Sequence, residues 1–499
     1  MSIKQFGAKI FAQYIVKKTQ KWVENPYDSQ RKIFKHLIQK GKSTQFGKDH
    51  NFDSINNLND FQSQVSVRNY EELKNYFDQV AEGKKDILWP GKPLYLAKTS
   101  GTTSGAKYIP LTKDSMPNHI EAARNAILHY LHETGNYKIV DKKMIFLQGS
   151  PILEEKNGIN FGRLSGIVAH FVPGYLQKNR LPSWETNCME DWEEKIEKIT
   201  DETEKEDMGI ISGIPSWVQT YFEKLYERHQ KKIGEIFPNF DLFIYGGVNY
   251  EPYRNKFEDY IGKSVDSIEL FPASEGFFAY QDRQDVDGML LLLDAGIFYE
   301  FIPVDDYLNG DWQAIGIEEV KKDVNYVLII SSNAGLWRYN IGDTVKFTSL
   351  QPYRLIVSGR IKHFTSAFGE HVIASEVEKA MKQASDQHQV SVNEFTVAPQ
   401  TDPPKGELPY HEWFIEFSQI PDNLQGFAYS IDELMQKQNS YYKDLIIGKI
   451  LRPLVITPIE KNGFQNYMKS EGKLGGQNKV ARLANDRKIA DKLEKFKKQ

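Results

Sequence analysis

The sequence is poor in cysteine, has no long apolar run and carries no excess of either charge. Its one cysteine, Cys188, excludes an internal disulfide and any zinc or iron–sulfur site that needs several cysteines, so we expect a reducing, cytoplasmic setting. No apolar stretch approaches the roughly 20 residues of a membrane-spanning helix. With 63 basic against 67 acidic residues, the net charge of −4 gives no global attraction to nucleic acid or to an anionic membrane, and we expect neither partner.

Two common catalytic motifs are also absent. A hydrolase of the α/β type would need a Gly-x-Ser-x-Gly elbow, and none occurs. His132 and His411 are each followed by Glu, but Asn136 and Ile415 stand where a zinc protease needs its second histidine. The sequence therefore supports neither of these hydrolase classes.

A chain of 499 residues exceeds what one hydrophobic core usually organises, so at least two domains are expected. Over residues 144–271 short apolar strands alternate with helices, which is typical of parallel α/β layers. Strands without helices follow over residues 276–350 and indicate a small antiparallel barrel or sheet. We predict an α/β protein with a large N-terminal domain, residues 1–358, and a smaller, mobile α+β domain, residues 359–499.

Three predicted helices bear on the site and its surroundings. The first, at the N-terminus, should be amphipathic and pack on the body of the protein, because its lysines are interspersed with apolar residues at helical intervals: Ile3, Phe6, Ile10, Phe11, Tyr14 and Ile15. Binding of this helix to a membrane surface is the less favoured alternative. Asp114 or Ser115 is expected to cap a second helix that runs to about Thr134. The third is predicted over residues 431–446.

The stretch 98–107, Lys-Thr-Ser-Gly-Thr-Thr-Ser-Gly-Ala-Lys, joins two short apolar runs and mixes glycines with hydroxyl side chains. Such small residues let the backbone fold tightly, so that N–H groups, hydroxyls and an ammonium converge on one anion, as in a phosphate site. An ordinary polar hairpin loop has the same composition and is the competing interpretation. A P-loop NTPase is disfavoured because only three residues separate Gly101 from Gly105, and Tyr108 follows Lys107.

Four later segments favour a nucleotide site. Gly246 and Gly247 follow an apolar strand, where a glycine pair lets a flat ring approach the backbone. Glu275 ends another strand, where open α/β sheets bind ligands, and a carboxylate there suits the Mg²⁺ of a nucleotide. Asp343 follows a glycine turn and suits a ribose diol, and Lys479 lies in a glycine-rich bend. Taken singly, the glycine pair is also typical of a strand-to-helix turn, the Gly-Asp pair is more often only a turn, and Lys479 would more often be a surface lysine.

In this order and spacing the segments resemble the adenylate-forming superfamily of acyl-CoA synthetases, luciferases and adenylation domains. The resemblance is closest to its acyl-acid amido synthetase branch, the auxin-responsive-promoter family. Residues 99–107 are similar to that branch's phosphate motif, 273–275 to its second motif and 338–343 to its third. Residues 359–360 resemble the hinge before the mobile C-terminal domain, and 476–479 resemble the catalytic-lysine loop.

The resemblance implies a two-step reaction. ATP and a carboxylic acid give an acyl-adenylate and pyrophosphate, and an amine, typically an amino acid, then displaces AMP. It implies that Glu275 and Lys479 are catalytic, with Glu275 holding Mg²⁺ and Lys479 bridging the carboxylate and the α-phosphate. The residues that it assigns to the nucleotide are Ser100, Gly101, Thr102, Thr103, Lys107, Gly246, Gly247, Ala273, Ser274, Asp343 and Arg360.

The sequence leaves the acyl pocket and the acceptor of the acyl group undecided. The segment 161–171 and the pair Phe277-Phe278 are expected to border the acyl group, but Arg163 within that segment is equally compatible with a surface charge. An acyl-CoA ligase of the same fold, or a non-catalytic nucleotide-binding protein, is an alternative to the amido synthetase. The presence of both Glu275 and Lys479 argues against the non-catalytic alternative. We expect a monomer whose substrates are small molecules.

Overall fold

The computed structural model describes residues 1–102, 105–172, 178–247, 250, 254–361, 364–365, 367–370, 372–404, 406–471 and 480–498. Side chains are described at these positions except 100–102, 105–106, 216, 255–256, 308, 359–360, 364–365 and 373–375. The strands are β1 Tyr95–Thr102, β2 Gly105–Leu111, β3 Lys143–Leu147, β4 Glu154–Lys156, β5 Ile159–Gly162, β6 Arg180–Leu181, β7 Met208–Gly213, β8 Leu242–Gly246, β9 Asp266–Ala273, β10 Gly276–Tyr280, β11 Met289–Leu291, β12 Ile297–Pro303, β13 Asn325–Ser332, β14 Tyr339–Leu350, β15 Tyr353–Arg360, β16 Phe364–Thr365, β17 Val372–Ile373, β18 Val392–Gln400, β19 Tyr410–Phe417 and β20 Val455–Ile459.

Helices cover these strands on several sides. The α-helices are Ile3–Val23, Pro26–Gly41, Gln45–Asp49, Leu58–Gln64, Tyr70–Ala81, Met116–Thr134, Leu164–Ala169, Trp184–Cys188, Trp192–Thr203, Pro215–His229, Ile233–Ile236, Arg254–Ile261, Val304–Leu308, Ala374–His388, Leu424–Gln438, Ser440–Ile447, Gly463–Ser470 and Lys488–Leu493. The predicted helix forms as Met116–Thr134, directly after Ser115. The Ser115 side chain does not cap it, because its hydroxyl accepts a hydrogen bond of 2.9 Å from the N–H of Thr112 instead. No helix in the described ranges is long and apolar enough to cross a membrane.

One large sheet dominates the described part of the chain, with eleven strands in the order β12-β13-β14-β15-β11-β10-β9-β8-β7-β3-β6. From β9 to β6 the neighbouring strands are parallel, and from β9 to β12 they are antiparallel. The strands predicted as a small antiparallel barrel or sheet are therefore one half of this larger sheet. They stay joined to the parallel half because β10 folds back on β9 through a two-residue turn.

The parallel half is built from short apolar strands. Strands β7 and β8 are buried along almost their whole length, as expected where helices cover both faces of a sheet. The helix Trp192–Thr203, which packs in the same core, begins where the Asp191 side chain accepts a hydrogen bond of 2.9 Å from the backbone N–H of Glu194. The predicted fold class, an α/β protein with parallel layers, an antiparallel sheet and a smaller C-terminal α+β part, is confirmed.

The C-terminal part contains the three-stranded sheet β18-β19-β20 and the helices around it. Its core is continuous with the helical layer of the large sheet, since Trp413 and Phe368 belong to the same cluster as Ile145 and Trp192. The single helix predicted over residues 431–446 is wrong. The helix is interrupted at Asn439. The buried Asn439 side chain accepts a hydrogen bond of 2.9 Å from the N–H of Tyr442 and so caps the next helix, Ser440–Ile447.

The N-terminal helix forms as predicted, but it packs with a different face. Ala12, Ile15 and Thr19 are buried against the protein. Ile15 is thus the only one of the six predicted apolar residues that is buried, and the other five are exposed. The opposing helix Met116–Thr134 contributes the small residues Ala122 and Ala126 to the cluster that contains Ala12 and Ile15, and these leave room for that face.

Candidate active site

The predicted phosphate motif forms a β-hairpin. Strands β1 and β2 pair antiparallel, with Thr99 opposite Lys107 and Thr102 opposite Gly105, and a bulge interrupts the pairing between Thr99 and Thr102. Thr103 lies outside the described residues, and of Ser100, Gly101 and Thr102 only the backbone is described. A hairpin is expected both for a phosphate site and for an ordinary polar loop, so phosphate binding by this motif stays a prediction.

Lys107 projects toward the helix Tyr70–Ala81. Its ammonium nitrogen lies 5.8 Å from the centre of the Tyr70 ring, within cation–π range. The Tyr70 hydroxyl accepts a hydrogen bond of 3.0 Å from the N–H of Tyr108, and its ring stacks on Phe77 with centres 4.6 Å apart. Burial raises the pKa of Tyr70 to about 12, so the hydroxyl stays protonated at neutral pH. Lys107 is thus supported on a rigid aromatic side chain.

The third motif contacts the same face of this helix, through Phe77, which lies seven residues after Tyr70 and stacks on it. Phe77 contacts the ring of Tyr339 edge-on at 6.2 Å, and Tyr339 begins β14, which carries Asp343. Asp343 is buried and lies opposite Arg360 on β15, although only the backbone of Arg360 is described. Gly342 has φ +87°, a left-handed conformation that favours glycine. The predicted glycine turn is wrong, because Gly342 lies inside β14, where the pairing with β13 is irregular.

Arg338, also in the third motif, is held by contacts within the protein. Its guanidinium is buried and forms an ion pair with the buried Glu300 at 3.1 Å. The same group donates to the carbonyls of Gln62, at 3.3 Å, and Val65, at 2.7 Å. Arg338 therefore ties the segment after the helix Leu58–Gln64 to the start of β14, which fixes the strand that carries Asp343.

Glu275 occupies the turn between β9 and β10, where the parallel half of the sheet changes to the antiparallel half. Ala273 pairs with Gly276 across this turn, so Ser274 and Glu275 are its two central residues. Glu275 is buried. The turn is held from below by Asn118, which accepts from the N–H of Phe277 at 2.7 Å and donates to its carbonyl at 3.0 Å.

The glycine pair lies at the end of β8, next to β9. A Cβ atom on Gly246 would come within 2.4 Å of the Leu270 carbonyl oxygen, so strand packing alone requires glycine there. Gly247 has φ +80°, and a Cβ placed on it would meet no atom within 4 Å. Since the carboxyl ends of β8 and β9 share one edge of the sheet, Gly247 faces open space at the edge that carries Glu275.

Tyr441, which sequence reasoning missed, brings two motifs together. Its hydroxyl donates a hydrogen bond of 2.8 Å to the Lys98 carbonyl at the base of the phosphate hairpin. Burial raises the pKa of Tyr441, an effect that Arg163 opposes and the charges of Asp444 and Glu275 reinforce. Tyr441 therefore contacts the base of the hairpin and lies near enough to Glu275 to sense its charge. No motif marks Tyr441 in the sequence, because its role depends on the helix break at Asn439.

Arg163 has a definite place in this contact. Its guanidinium carbon lies 4.8 Å from the centre of the Tyr441 ring, and its Nη2 pairs with Asp444. The side chain is 30% exposed and bridges the two parts of the chain. Its predicted contact with the acyl group stays a prediction.

The remaining site residues are only partly described. Lys479 lies outside the described residues, and the Arg360 side chain does too. A cavity of about 190 Å³ lies beneath the N-terminal helix, but none of the predicted site residues lines it. That cavity is therefore separate from the residues that the sequence assigns to the site.

Glu275 suits the Mg²⁺ that the family resemblance implies. The described residues contain no group of three or more side chains that could ligate a metal. Mg²⁺, however, usually keeps several waters and takes one or two carboxylates together with substrate phosphates. A single buried carboxylate beside a hairpin with the composition of a phosphate site matches that donor set.

Comparison with protein families extends over most of the chain. The model of the GH3 family N-terminal domain matches residues 15–179 and 164–265, the central-domain model matches 290–360, and the C-terminal-domain model matches 375–488. The chain belongs to the GH3 family. The family that the motifs resemble is thereby confirmed.

Individual GH3 relatives are distant in sequence. The chain is 20% identical to jasmonoyl–L-amino acid synthetase JAR4 of Nicotiana attenuata over 64% of its own length and 66% of that protein. It is 19% identical to indole-3-acetic acid-amido synthetase GH3.3 of Arabidopsis thaliana, over 93% of its length and 90% of the relative. These relatives are amide-forming synthetases, and membership of their family confirms the predicted enzyme class, an acyl-acid amido synthetase.

Solved structures with the same fold include a GH3 enzyme and a CoA ligase. The GH3.15 acyl acid amido synthetase in complex with 2,4-DB superposes with a TM-score of 0.62 at 16% identity, over 98% of this chain and 96% of that one. A 2-hydroxyisobutyryl-CoA ligase gives a TM-score of 0.57 at 12% identity, over 94% and 92% of the two chains. Since both acceptors occur on one fold, the fold alone does not select the acceptor.

Proposed function

We propose that this protein activates a carboxylic acid with ATP and conjugates the acyl group to an amino acid. The observation that carries the proposal is the match to all three GH3 family models in chain order. In the first step a carboxylate oxygen attacks the α-phosphorus of ATP, and the bond to pyrophosphate breaks. In the second, the amine nitrogen attacks the acyl carbon, the bond to AMP breaks, and the amine loses a proton.

The protein's part in the first step is to align the groups and to stabilise charge. We assign the β- and γ-phosphates to Ser100, Thr102, Thr103 and Lys107, with the backbone at Gly101 closing the hairpin around them. The rigid support of Lys107 by Tyr70 favours this role, because it fixes the ammonium before the nucleotide binds. Lys479 would stabilise the charge that develops between the carboxylate and the α-phosphate.

We assign the adenine and the ribose to residues at the carboxyl ends of β8 and β9 and on β14. Gly247, with open space above its backbone, and the adjoining Gly246 would border the adenine. Ala273 and Ser274 belong to the same edge of the sheet. Asp343 would accept hydrogen bonds from the ribose hydroxyls, with Arg360 beside it across the strand pair.

Mg²⁺, when bound with ATP, would neutralise phosphate charge and orient the pyrophosphate leaving group. Glu275, at the turn between β9 and β10, would hold it. Asn118 keeps this turn in place through its two hydrogen bonds to Phe277. We also propose that the enzyme acts as a monomer in a reducing, cytoplasmic setting and binds no nucleic acid.

A pyrophosphate-exchange screen over aryl and aliphatic carboxylic acids tests the first step. We expect acid-dependent exchange of pyrophosphate into ATP with at least one acid. With the best acid, AMP release is then compared across amino acids and CoA. AMP release with CoA but not with amino acids would assign the protein to the acyl-CoA ligases, and ATP binding without any exchange would assign it to the non-catalytic alternative.

A further inference from the structure

The N-terminal helix Ile3–Val23 presents large apolar side chains to solvent. Ile3 is 92% exposed, Phe6 57%, Ile10 53% and Tyr14 62%. These residues are spaced three, four and four apart, so they form one stripe along a single face of the helix. We call these four residues the apolar stripe. At about 1.5 Å per residue it is about 16 Å long, too extended to be scattered surface residues.

The exposure does not arise from a loose helix. The opposite face is buried through Ala12, Ile15 and Thr19, and the Thr19 hydroxyl lies 3.1 Å from Nε2 of His129. At the helix start, Gln5 donates a hydrogen bond of 2.7 Å to Asp141. The helix is therefore held on the body of the protein, with its large apolar residues directed outward.

All charged side chains of the helix are positive. It contains five lysines, Lys4, Lys9, Lys17, Lys18 and Lys21, and no acidic residue. Lys17 and Lys21 follow Tyr14 by three and seven residues, so they continue the line of the apolar stripe, and both are exposed. One face of the helix is thus apolar over its first half and cationic over its second.

We propose that this face binds the surface of an anionic phospholipid membrane. The apolar stripe would enter the boundary between head groups and acyl chains, while the lysines contact lipid phosphates, which is how amphipathic helices bind membrane surfaces. The balanced charge of the whole chain does not oppose this, because screening confines the attraction to groups near the surface. The inference replaces the sequence-based expectation that the protein has no membrane partner, and it is independent of the proposed function.

A second copy of the chain is a poorer occupant of this face. Parallel pairing of two such helices would bring lysines against lysines, and antiparallel pairing would bring lysines against the apolar stripe of the partner. A lipid surface offers both an apolar layer and negative charge at the same place. Charge complementarity therefore favours an anionic membrane over a second copy of the chain as the binding partner of this face.

Flotation of the full-length protein with vesicles tests the proposal. We expect binding to vesicles of phosphatidylcholine with roughly one-third phosphatidylglycerol, and much weaker binding to phosphatidylcholine alone. Binding should fall sharply in about 1 M salt, where the Debye length is only about 3 Å. Equal binding to both vesicles, or binding to neither, would overturn the proposal.

Variants test whether vesicle binding depends on the apolar stripe or on any exposed apolar side chain. Phe6→Gln combined with Ile10→Gln should weaken binding about tenfold or more, whereas Lys17→Gln and Lys21→Gln should each weaken it about fivefold. Tyr429→Gln is the matched control, because Tyr429 is 64% exposed on a different helix and should change nothing. Melting curves check that every variant folds.

Three further results would contradict the proposal. Unchanged vesicle binding by the folded Phe6 and Ile10 variant would exclude the stripe as the membrane contact. A dimer of the unmodified protein that this variant converts to monomer would assign the stripe to a second copy instead. Full retention of binding by both lysine variants would also overturn it, because the choice of an anionic surface depends on those charges.

Discussion

The Tyr441 hydroxyl donates its hydrogen bond to the carbonyl of Lys98, 343 residues earlier in the chain. Lys98 lies at the base of the phosphate hairpin, and Tyr441 lies on a helix of the C-terminal part. The orientation of the C-terminal part is thereby coupled to the hairpin by one buried contact. Arg163, which follows β5, lies over the Tyr441 ring and pairs with Asp444, so it adds a second contact of the large sheet's part of the chain with the same C-terminal helix.

Tyr441→Phe should alter one half-reaction more than the other. Removing the hydroxyl leaves the Lys98 carbonyl without that donor, at a cost of about 1–1.5 kcal/mol to this arrangement of the two parts. The half-reaction that uses this arrangement should slow about tenfold. Tyr442→Phe is the control, since the Tyr442 hydroxyl bonds to Asp432 within the C-terminal part and its loss should only lower stability. Equal slowing of both half-reactions in both variants would contradict the coupling.

Glu275→Ala should reduce adenylation at limiting Mg²⁺ by at least about tenfold, because a hard carboxylate ligand is lost beside the phosphates. The measurement is pyrophosphate exchange as a function of Mg²⁺ concentration, with the melting midpoint as the check on folding. Glu275→Gln, which keeps the size of the side chain, is the matched variant. Exchange that stays unchanged at limiting Mg²⁺ would remove Glu275 from the site.

Replacing Thr102 and Thr103 together with Val should weaken ATP binding far more than AMP binding. Each hydroxyl bonded to a phosphate contributes about 1.5–3 kcal/mol, and AMP lacks the phosphates in question. Calorimetry with both nucleotides measures the difference. Equal losses for ATP and AMP would indicate general damage to the hairpin, and the polar-loop interpretation would then be preferred.

Lys479→Ala should slow adenylation by a factor on the order of 10²–10³, the usual effect of losing one preorganised donor at a developing charge. Attack of the amine on a synthetic acyl-adenylate should slow much less, because no pyrophosphate leaves in that step. Both half-reactions are measured by rapid quench. If both slow equally, Lys479 does not act specifically in adenylation, and if neither slows, it is a surface lysine.

The stability of the fold should fall below about pH 6.5. Burial lowers the pKa of both His119 and His129 to about 4. The unfolded chain takes up protons near pH 6.5, and the folded chain does not until about pH 4, so stability is present above 6.5 and is lost as pH falls. At pH 5 each histidine should cost about 2 kcal/mol relative to neutral pH. Urea unfolding measures this, and His129→Gln should reduce the pH dependence; an unchanged dependence would exclude His129.

The sequence determined the family, the enzyme class and the layered fold. Those features depend on local patterns, such as the apolar runs of β7 and β8 or the residues that precede a helix. The order of the motifs also identified Lys107, Glu275 and Asp343 as candidates before any contact between them was known. The limits of the domains and the roles of Thr103 and Lys479 stay predictions.

Tertiary structure alone decided which side chains meet and which faces are covered. Tyr441 enters the candidate site because a helix breaks at Asn439, and the helical periodicity of residues 431–446 gives no sign of that break. The N-terminal helix has apolar residues around much of its circumference, so periodicity predicted the helix but chose the wrong buried face. Which face is buried depends on the small residues of the helix Met116–Thr134, more than a hundred residues away, because close packing is a property of both partners.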